Sequence, residues 1–237
     1  MVTLASKIAR LVLGEQYAGF LAYYLRPRLR NRWGGPFNGQ HQRQQIFRDV
    51  LAAIPFSAIV ETGTYRGDTT ACLRSESGLE VFTVESQASE YGFSSARFMR
   101  DRGVHMFHDD SRAVLRELAT RPDLLDRSLF FYLDAHWSHD LPLQDEVETI
   151  AAHWPHAVVM VDDFAVPDDP GYGYDDYGEG RALTLEYLRR ARNVSYTAFF
   201  PAASSDAESG ARRGCVLLAF RQEIAEALRR VRSLRLA

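Results

Sequence analysis

The segment Ile59-Val-Glu-Thr-Gly-Thr-Tyr-Arg-Gly-Asp-Thr-Thr70 constrains the fold more than any other part of the chain. An apolar run closes on an acid, two glycines follow, and the sequence then turns helical. That order predicts a strand, a tight turn and a helix N-terminus, the place where an open α/β sheet holds a nucleotide-like ligand. Glu61 falls at the carboxyl end of the strand. Gly63 and Gly67 are expected to let a ligand approach the backbone, and Asp68 or Thr69 to cap the helix. The loop is no phosphate cradle: it lacks the third glycine of a dinucleotide fingerprint and the Gly-Lys-Ser/Thr of a P-loop. An acid inside the turn repels a pyrophosphate and suits a cationic ligand group.

Beyond this loop, strands and helices alternate. Strands are expected at 57–61, 80–85, 104–107, 128–133, 156–161, 194–200 and 213–220. Helices are expected at 68–76, 88–102, 111–120, 142–153, 180–192 and 221–234. Such alternation implies parallel strands joined by crossover helices. No helix separates the last two strands, only the Ala, Ser and Gly-rich stretch from Ala202 to Ala211, so they are expected to end the sheet as an antiparallel hairpin with a mobile loop. At 237 residues and 46% hydrophobic content the chain can bury one large core. We expect a helical extension and linker over 1–39 and a single domain over 40–237, with Ile46, Val50, Leu51 and Ile54 on one helical face just before the first strand.

The loop resembles the first motif of class I S-adenosylmethionine-dependent methyltransferases, and the likeness continues in Glu80-Val-Phe-Thr-Val-Glu-Ser86 and Val104-His-Met-Phe-His-Asp-Asp-Ser111. It implies a Rossmann-like seven-stranded sheet, mostly parallel with an antiparallel last strand and helices on both faces. The implied cofactor site comprises Glu61, Thr62, Gly63, Gly67, Glu85, Ser86, Asp110 and Ser111. Glu85, 24 residues after Glu61, would accept both ribose hydroxyls. Asp110, the acid before the small hydroxyl residue, would read the adenine. Taken singly, Glu61 reads equally as a turn acid and Asp110 as a plain helix cap; three acids at three successive strand ends favour a ligand site.

A second acidic group follows the next two strands. Leu129-Phe-Phe-Tyr-Leu-Asp-Ala-His-Trp137 ends in Asp134 and His136, and Ala157-Val-Val-Met-Val-Asp-Asp-Phe164 ends in Asp162 and Asp163. Carboxylates packed this closely repel one another unless a cation neutralises them, and an all-oxygen set suits magnesium. The pattern is similar to metal-dependent sugar O-methyltransferases of the macrocin and mycinamicin type, and to the cephalosporin hydroxylase and rhamnosyl methyltransferase group. That resemblance covers about residues 40–165 and implies a magnesium site of Asp134, Asp162 and Asp163, with His136 or Asp134 as the base for a substrate hydroxyl. Asp134-Ala-His-Trp137 departs from the tyrosine-containing sequence of the macrocin enzymes, and nothing after 165 matches closely. His136 reads equally as a strand-end residue bonding a carbonyl, and His139 is the reserve base.

Pro167-Asp-Asp-Pro-Gly-Tyr-Gly-Tyr-Asp-Asp-Tyr-Gly178 is too rich in Pro, Gly and Asp for a regular element. It reads either as a lid presenting Tyr172, Tyr174 and Tyr177 to the acceptor beside Trp137, or as a solvated acidic loop. The function implied is O-methylation of a small hydroxylated metabolite, a sugar or secondary-metabolite intermediate. The rivals are a binding or scaffold protein on the same sheet and a nicotinamide-dependent oxidoreductase, which the missing fingerprint disfavours.

The formal charge of −3 gives no reason to expect a nucleic-acid partner. Charge is uneven: residues 1–33 carry Lys7, Arg10, Arg26, Arg28, Arg30 and Arg32 against Glu15 alone. Within them Leu11–Leu25 is too short and too interrupted to span a bilayer. We read it as an amphipathic helix that covers the site, joins two subunits of a homo-oligomer, or touches a membrane surface through its basic end. Cys72 and Cys215 have neither close spacing nor a nearby His, so a reduced, cytoplasmic setting is expected.

Overall fold

The structure, a computed structural model, describes residues 4–30, 34–136 and 140–237, with side chains from residue 14 onward. Its centre is one sheet of β1 (Ala58–Thr62), β2 (Glu80–Val84), β3 (Val104–Phe107), β4 (Leu129–Leu133), β5 (Val158–Val161), β6 (Thr197–Pro201), β7 (Val216–Ala219) and β8 (Leu234–Leu236). The strand order is β3-β2-β1-β4-β5-β7-β6-β8. Pairs among β1 to β5 are parallel, β7 runs antiparallel to β5 and β6, and β8 runs antiparallel to β6. β1 lies between β2 and β4, so the order reverses beside it and leaves a crevice at the carboxyl ends.

Helices α1 (Leu4–Leu25), α2 (His41–Ala53), α3 (Asp68–Ser77), α4 (Ala88–Phe98), α5 (Ser111–Leu118), α6 (Leu143–His153), α7 (Leu185–Leu188) and α8 (Gln222–Arg229) complete the fold. The strands bury both faces, so their apolar residues run continuously instead of alternating with polar ones. Val60, Phe131 and Val159 face α5 and α6, while Ile59, Phe130 and Met160 face α2, α3 and α8. This period-two alternation decides where each residue just past a strand end points.

Several expectations change. The sheet has eight strands, because the chain expected to remain helical to 234 leaves α8 at Arg229 and pairs Leu234–Leu236 with the β6 edge. The helix expected over 180–192 shrinks to α7. The residues before it instead make backbone bonds, Leu183 to Asp175 and Ala165 to Leu183, and left-handed Gly178 and Gly180 interrupt them. Residues 36–39 are no free linker: Phe37 is fully buried against Phe47 and Tyr132.

The hairpin loop expected to be mobile is clamped onto the start of α2. The buried Glu208 carboxylate accepts from the amides of Gln42 (2.9 Å) and Arg43 (3.2 Å), which an α-helix leaves unpaired in its first turn. Ser209 joins His41 and Gly39, and Ala211 donates to the carbonyl of Asn38. Glu208→Ala removes both the cap and a favourable charge at the helix N-terminus. It is expected to lower unfolding free energy by about 1–2 kcal/mol in a denaturant titration, whereas Glu223→Ala on the exposed side of α8 should change it little.

Candidate active site

The carboxyl ends of β1 to β5 gather the site. Glu61, the penultimate residue of β1, is buried on the face toward α3. Its Oε2 accepts from Thr70 Oγ1 (2.5 Å) on α3 and from Thr83 Oγ1 (2.6 Å) on β2. Oε1 is buried and has no hydrogen-bond partner. Burial pushes this carboxyl up to about 7 against the two hydroxyl bonds, and Glu85 adds to the rise.

Glu85 follows β2 and is also buried. Its oxygens accept from the backbone amides of Tyr65 (2.8 Å) and Gln87 (2.7 Å), which steers the carboxylate toward the first loop and leaves a lone pair on each oxygen. Burial raises its pKa, and those amide bonds oppose the rise. Ser86 beside it is exposed. After β3, Asp110 caps α5 through the Arg112 amide (2.9 Å) and holds the Arg112 guanidinium at 2.9 and 2.6 Å. Those bonds lower its pKa. The structure thus gives Asp110 the capping role that the sequence left open. Tyr91 of α4 and His108 after β3 stack at 4.6 Å on this side of the rim.

Protein packing by itself requires small residues at the two loop glycines. Gly63 has φ 91°, and a side chain there would collide with the Asp134 backbone carbonyl. Gly67 has φ 77°, and a Cβ would collide with the Phe98 ring. Both conformations and both contacts demand glycine. Of the two predicted cap residues, Asp68 opens α3 and pairs with Arg97 at 2.7 Å, while Thr69 Oγ1 accepts from the Phe37 amide.

The acids after β4 and β5 divide. Asp162 continues the β5 alternation onto the Met160 face and is completely buried there. Its carboxylate pairs with the buried Arg43 guanidinium of α2 and accepts from the Tyr132 hydroxyl. Arg43 also donates to the carbonyls of Arg213 and Gly214. Asp162 therefore does not join the predicted metal group. Asp163, in the left-handed region at φ 50°, points to the rim instead. Carboxylate oxygens of Asp134 and Asp163 and a ring nitrogen of His136 lie within 4.8 Å of one another. Among the described residues these form the cluster that could hold a cation.

His136 is buried, its Nε2 lacks a hydrogen-bond partner, and Asp134 Oδ1 stands 3.7 Å away. Burial lowers the imidazole pKa, so the ring is neutral near pH 7. Asp134 is held well above the usual carboxylate range by burial first, then by the neighbouring charges of Asp163 and Glu61. Arg213, which sequence reasoning passed over, closes one side. Its Nε donates to Asp163 (2.8 Å) and its other end pairs with Asp175. No local pattern could have flagged it, since its partners lie 50 and 38 residues away.

The acidic loop lies against this cluster. The Asp175 amide donates to the Asp163 carbonyl, and the Tyr177 hydroxyl stands 2.6 Å from Asp175 Oδ2 and 3.2 Å from the His136 carbonyl. Tyr172 is not available to an acceptor: it is buried in the core and donates to the carbonyl of Ala203. Tyr174 is exposed. Trp137 and His139 lie outside the described residues. Glu146, another residue not foreseen, is buried on α6 beside Ser111 and Thr62, and burial pushes it up to about 7.

Two stability effects follow. Asp162→Ala leaves Arg43 buried without its partner and should cost about 3–5 kcal/mol of unfolding free energy, whereas Asp163→Ala at the rim should cost far less. Glu146 has a folded pKa above its unfolded value, so its contribution is full below about 4.5 and is lost as pH rises through about 7. Glu146→Gln should therefore resemble wild type at pH 5 and gain stability on the order of 3 kcal/mol at most by pH 8. Thermal unfolding at both pH values checks it, and an unchanged pH slope would reject the assignment.

No protein-family model matches the sequence, and no curated protein matches it. Solved structures do match. The O-methyltransferase from Bacillus cereus in complex with SAH superposes with a TM-score of 0.53 at 17% identity, over 93% of this chain and 98% of that one. The SAH-bound methyltransferase PaMTH1 from Podospora anserina gives 0.53 at 13% identity, over 94% and 99%. The cofactor-bound Rv0187 from MTB gives 0.50 at 20% identity, over 92% and 96%. The chain therefore has the Rossmann-like fold of class I S-adenosylmethionine-dependent methyltransferases.

Proposed function

We propose that this chain is an S-adenosylmethionine-dependent O-methyltransferase acting on a hydroxyl of a small metabolite, a sugar or secondary-metabolite intermediate. The observation that carries the reading is Glu61 Oε1, a buried acceptor without a partner at the switch point of the sheet. An ionised Glu61 would receive the cofactor's ammonium group, and Glu85 with its two free lone pairs would receive the ribose hydroxyls. Thr62, Gly63 and Gly67 shape that loop, and Ser86, Asp110 and Ser111 border the adenine side. The bound cofactor would supply an electrophilic methyl group, so the protein must orient the acceptor and take its proton.

His136 suits that task, being neutral, buried and free at Nε2. Asp134 is the alternative acceptor of the proton. The acceptor molecule would sit between these groups and the loop carrying Tyr174 and Tyr177, with Trp137 and His139 as further candidates on the same segment. The protein is proposed to work in the cytoplasm, without a nucleic-acid partner.

A divalent cation fits the residues present. Separations of up to 4.8 Å agree with ligand distances near 2.0–2.6 Å around one ion. Asp134 and Asp163 would hold it, with His136 as a third donor and Arg213 competing for Asp163. An imidazole in the set departs from the all-oxygen site expected for magnesium and extends the choice to ions that accept nitrogen. When bound, such an ion would lower the pKa of an acceptor hydroxyl.

Calorimetric titration with S-adenosylhomocysteine, with and without magnesium or manganese and against an NADH control, tests the reading. Product binding without NADH binding is expected. No binding by folded protein would reject it in favour of a scaffold or another ligand. Glu85→Ala should weaken product binding at least about tenfold, as loss of hydrogen bonds to a charged group does. Asp163→Ala should weaken metal binding while sparing the cofactor. His136→Ala separates two roles: a base lowers kcat at unchanged metal affinity, and a ligand raises the metal concentration required.

A further inference from the structure

Exposed large apolar side chains among the described residues concentrate on one helix: Tyr17, Leu21, Tyr24 and Leu25 all lie on α1. Their spacing places them on one face. The opposite face is committed to α4. Side chains at Gly19 or Gly92 would collide with the backbone of Ser89 or Gln16, and Tyr23 meets Phe93 edge-on at 5.3 Å. Such close backbone contact fixes the rotation of the helix, so the outer stripe cannot turn inward. Tyr24 is braced outward by Phe20 at 5.7 Å and Tyr23 at 5.1 Å. Tyr17 is 68% exposed and Leu25 75%.

Charge identifies the phase. The exposed Arg28 follows the stripe directly, in the turn Pro27–Leu29. Residues 1–33 carry six bases and one acid, while the rest of the chain carries 22 bases against 30 acids. A helix bearing tyrosine and leucine on its outer face and followed directly by the arginine-rich segment 26–32 complements a layer of negatively charged lipid headgroups, with the acidic remainder of the chain kept on the water side. Tyrosine rings suit the headgroup depth, and arginine meets the phosphates above it. No helix of the described residues is long and apolar enough to cross a membrane, so α1 would lie on the surface.

We propose that α1 docks the protein onto the interface of an anionic bilayer through Tyr17, Leu21, Tyr24, Leu25 and Arg28. Co-sedimentation of the full chain with vesicles of phosphatidylcholine alone, or of phosphatidylcholine and phosphatidylglycerol in equal parts, tests this. Binding to the anionic vesicles is expected, weakened by added salt, with little binding to the zwitterionic ones. The double variant Leu21→Glu with Leu25→Glu should bind at least about tenfold less, and Arg28→Glu several-fold less. Both replace exposed groups, and wild-type thermal unfolding confirms that they fold. Failure to bind anionic vesicles, or equal binding by the folded double variant, overturns the proposal. A dimer that the same substitutions dissociate, without vesicle binding, assigns the face to a second copy and also overturns it. None of these readouts depends on the methyltransferase reading.

Discussion

The buried pair of Arg43 and Asp162 holds the two halves of the molecule in register. It joins α2, before the first strand, to the end of β5, and the same guanidinium donates to the backbone carbonyls of Arg213 and Gly214 just ahead of β7. Tyr132 adds β4 through its hydroxyl. An arginine with 1% exposure is tolerable only when its charge is compensated; Asp162 supplies the opposite charge and the two carbonyls take one end of the guanidinium, while its Nε has no partner. The cost of desolvating both ions means that the pair specifies an arrangement more than it adds net stability.

That arrangement sets the chemistry of the rim. Parallel strands deliver acids to one edge, and burial with mutual repulsion drives Glu61, Glu85 and Asp134 upward in pKa. Two arginines answer the excess in different ways. Arg43 neutralises Asp162 permanently in the interior. Arg213 neutralises Asp163 and Asp175 from a part-exposed position, where a cation or an acceptor molecule could take its place. Arg213 thereby ties the acidic loop to the rim acid, and the same loop brings the Tyr177 hydroxyl to 3.2 Å from the His136 carbonyl.

The first five strands and the loop after β1 were legible because a buried parallel strand writes itself as a continuous apolar run, and a ligand-facing turn as an acid with glycines. The hairpin at the end of the sheet was legible from the missing helix. The short β8 was not, because Leu234–Leu236 continues a helical pattern and pairing with the β6 edge overrides it. Likewise the 180–192 segment has helical composition, yet its first half is committed to backbone bonds with the acidic loop.

Sequence alone determined the acids, their strand ends and their order, since these follow from local periodicity. Tertiary structure decided which acids meet. Asp162 and Asp163 are adjacent and chemically identical, but strand alternation sends one into the core toward Arg43 and a left-handed backbone sends the other to the rim. It also decided why Gly63 and Gly67 are glycines, since the atoms that exclude a side chain come from Asp134 and Phe98, far along the chain. Long-range partners such as Arg213 and Glu208 leave no local signature, because their roles exist only once distant segments have packed.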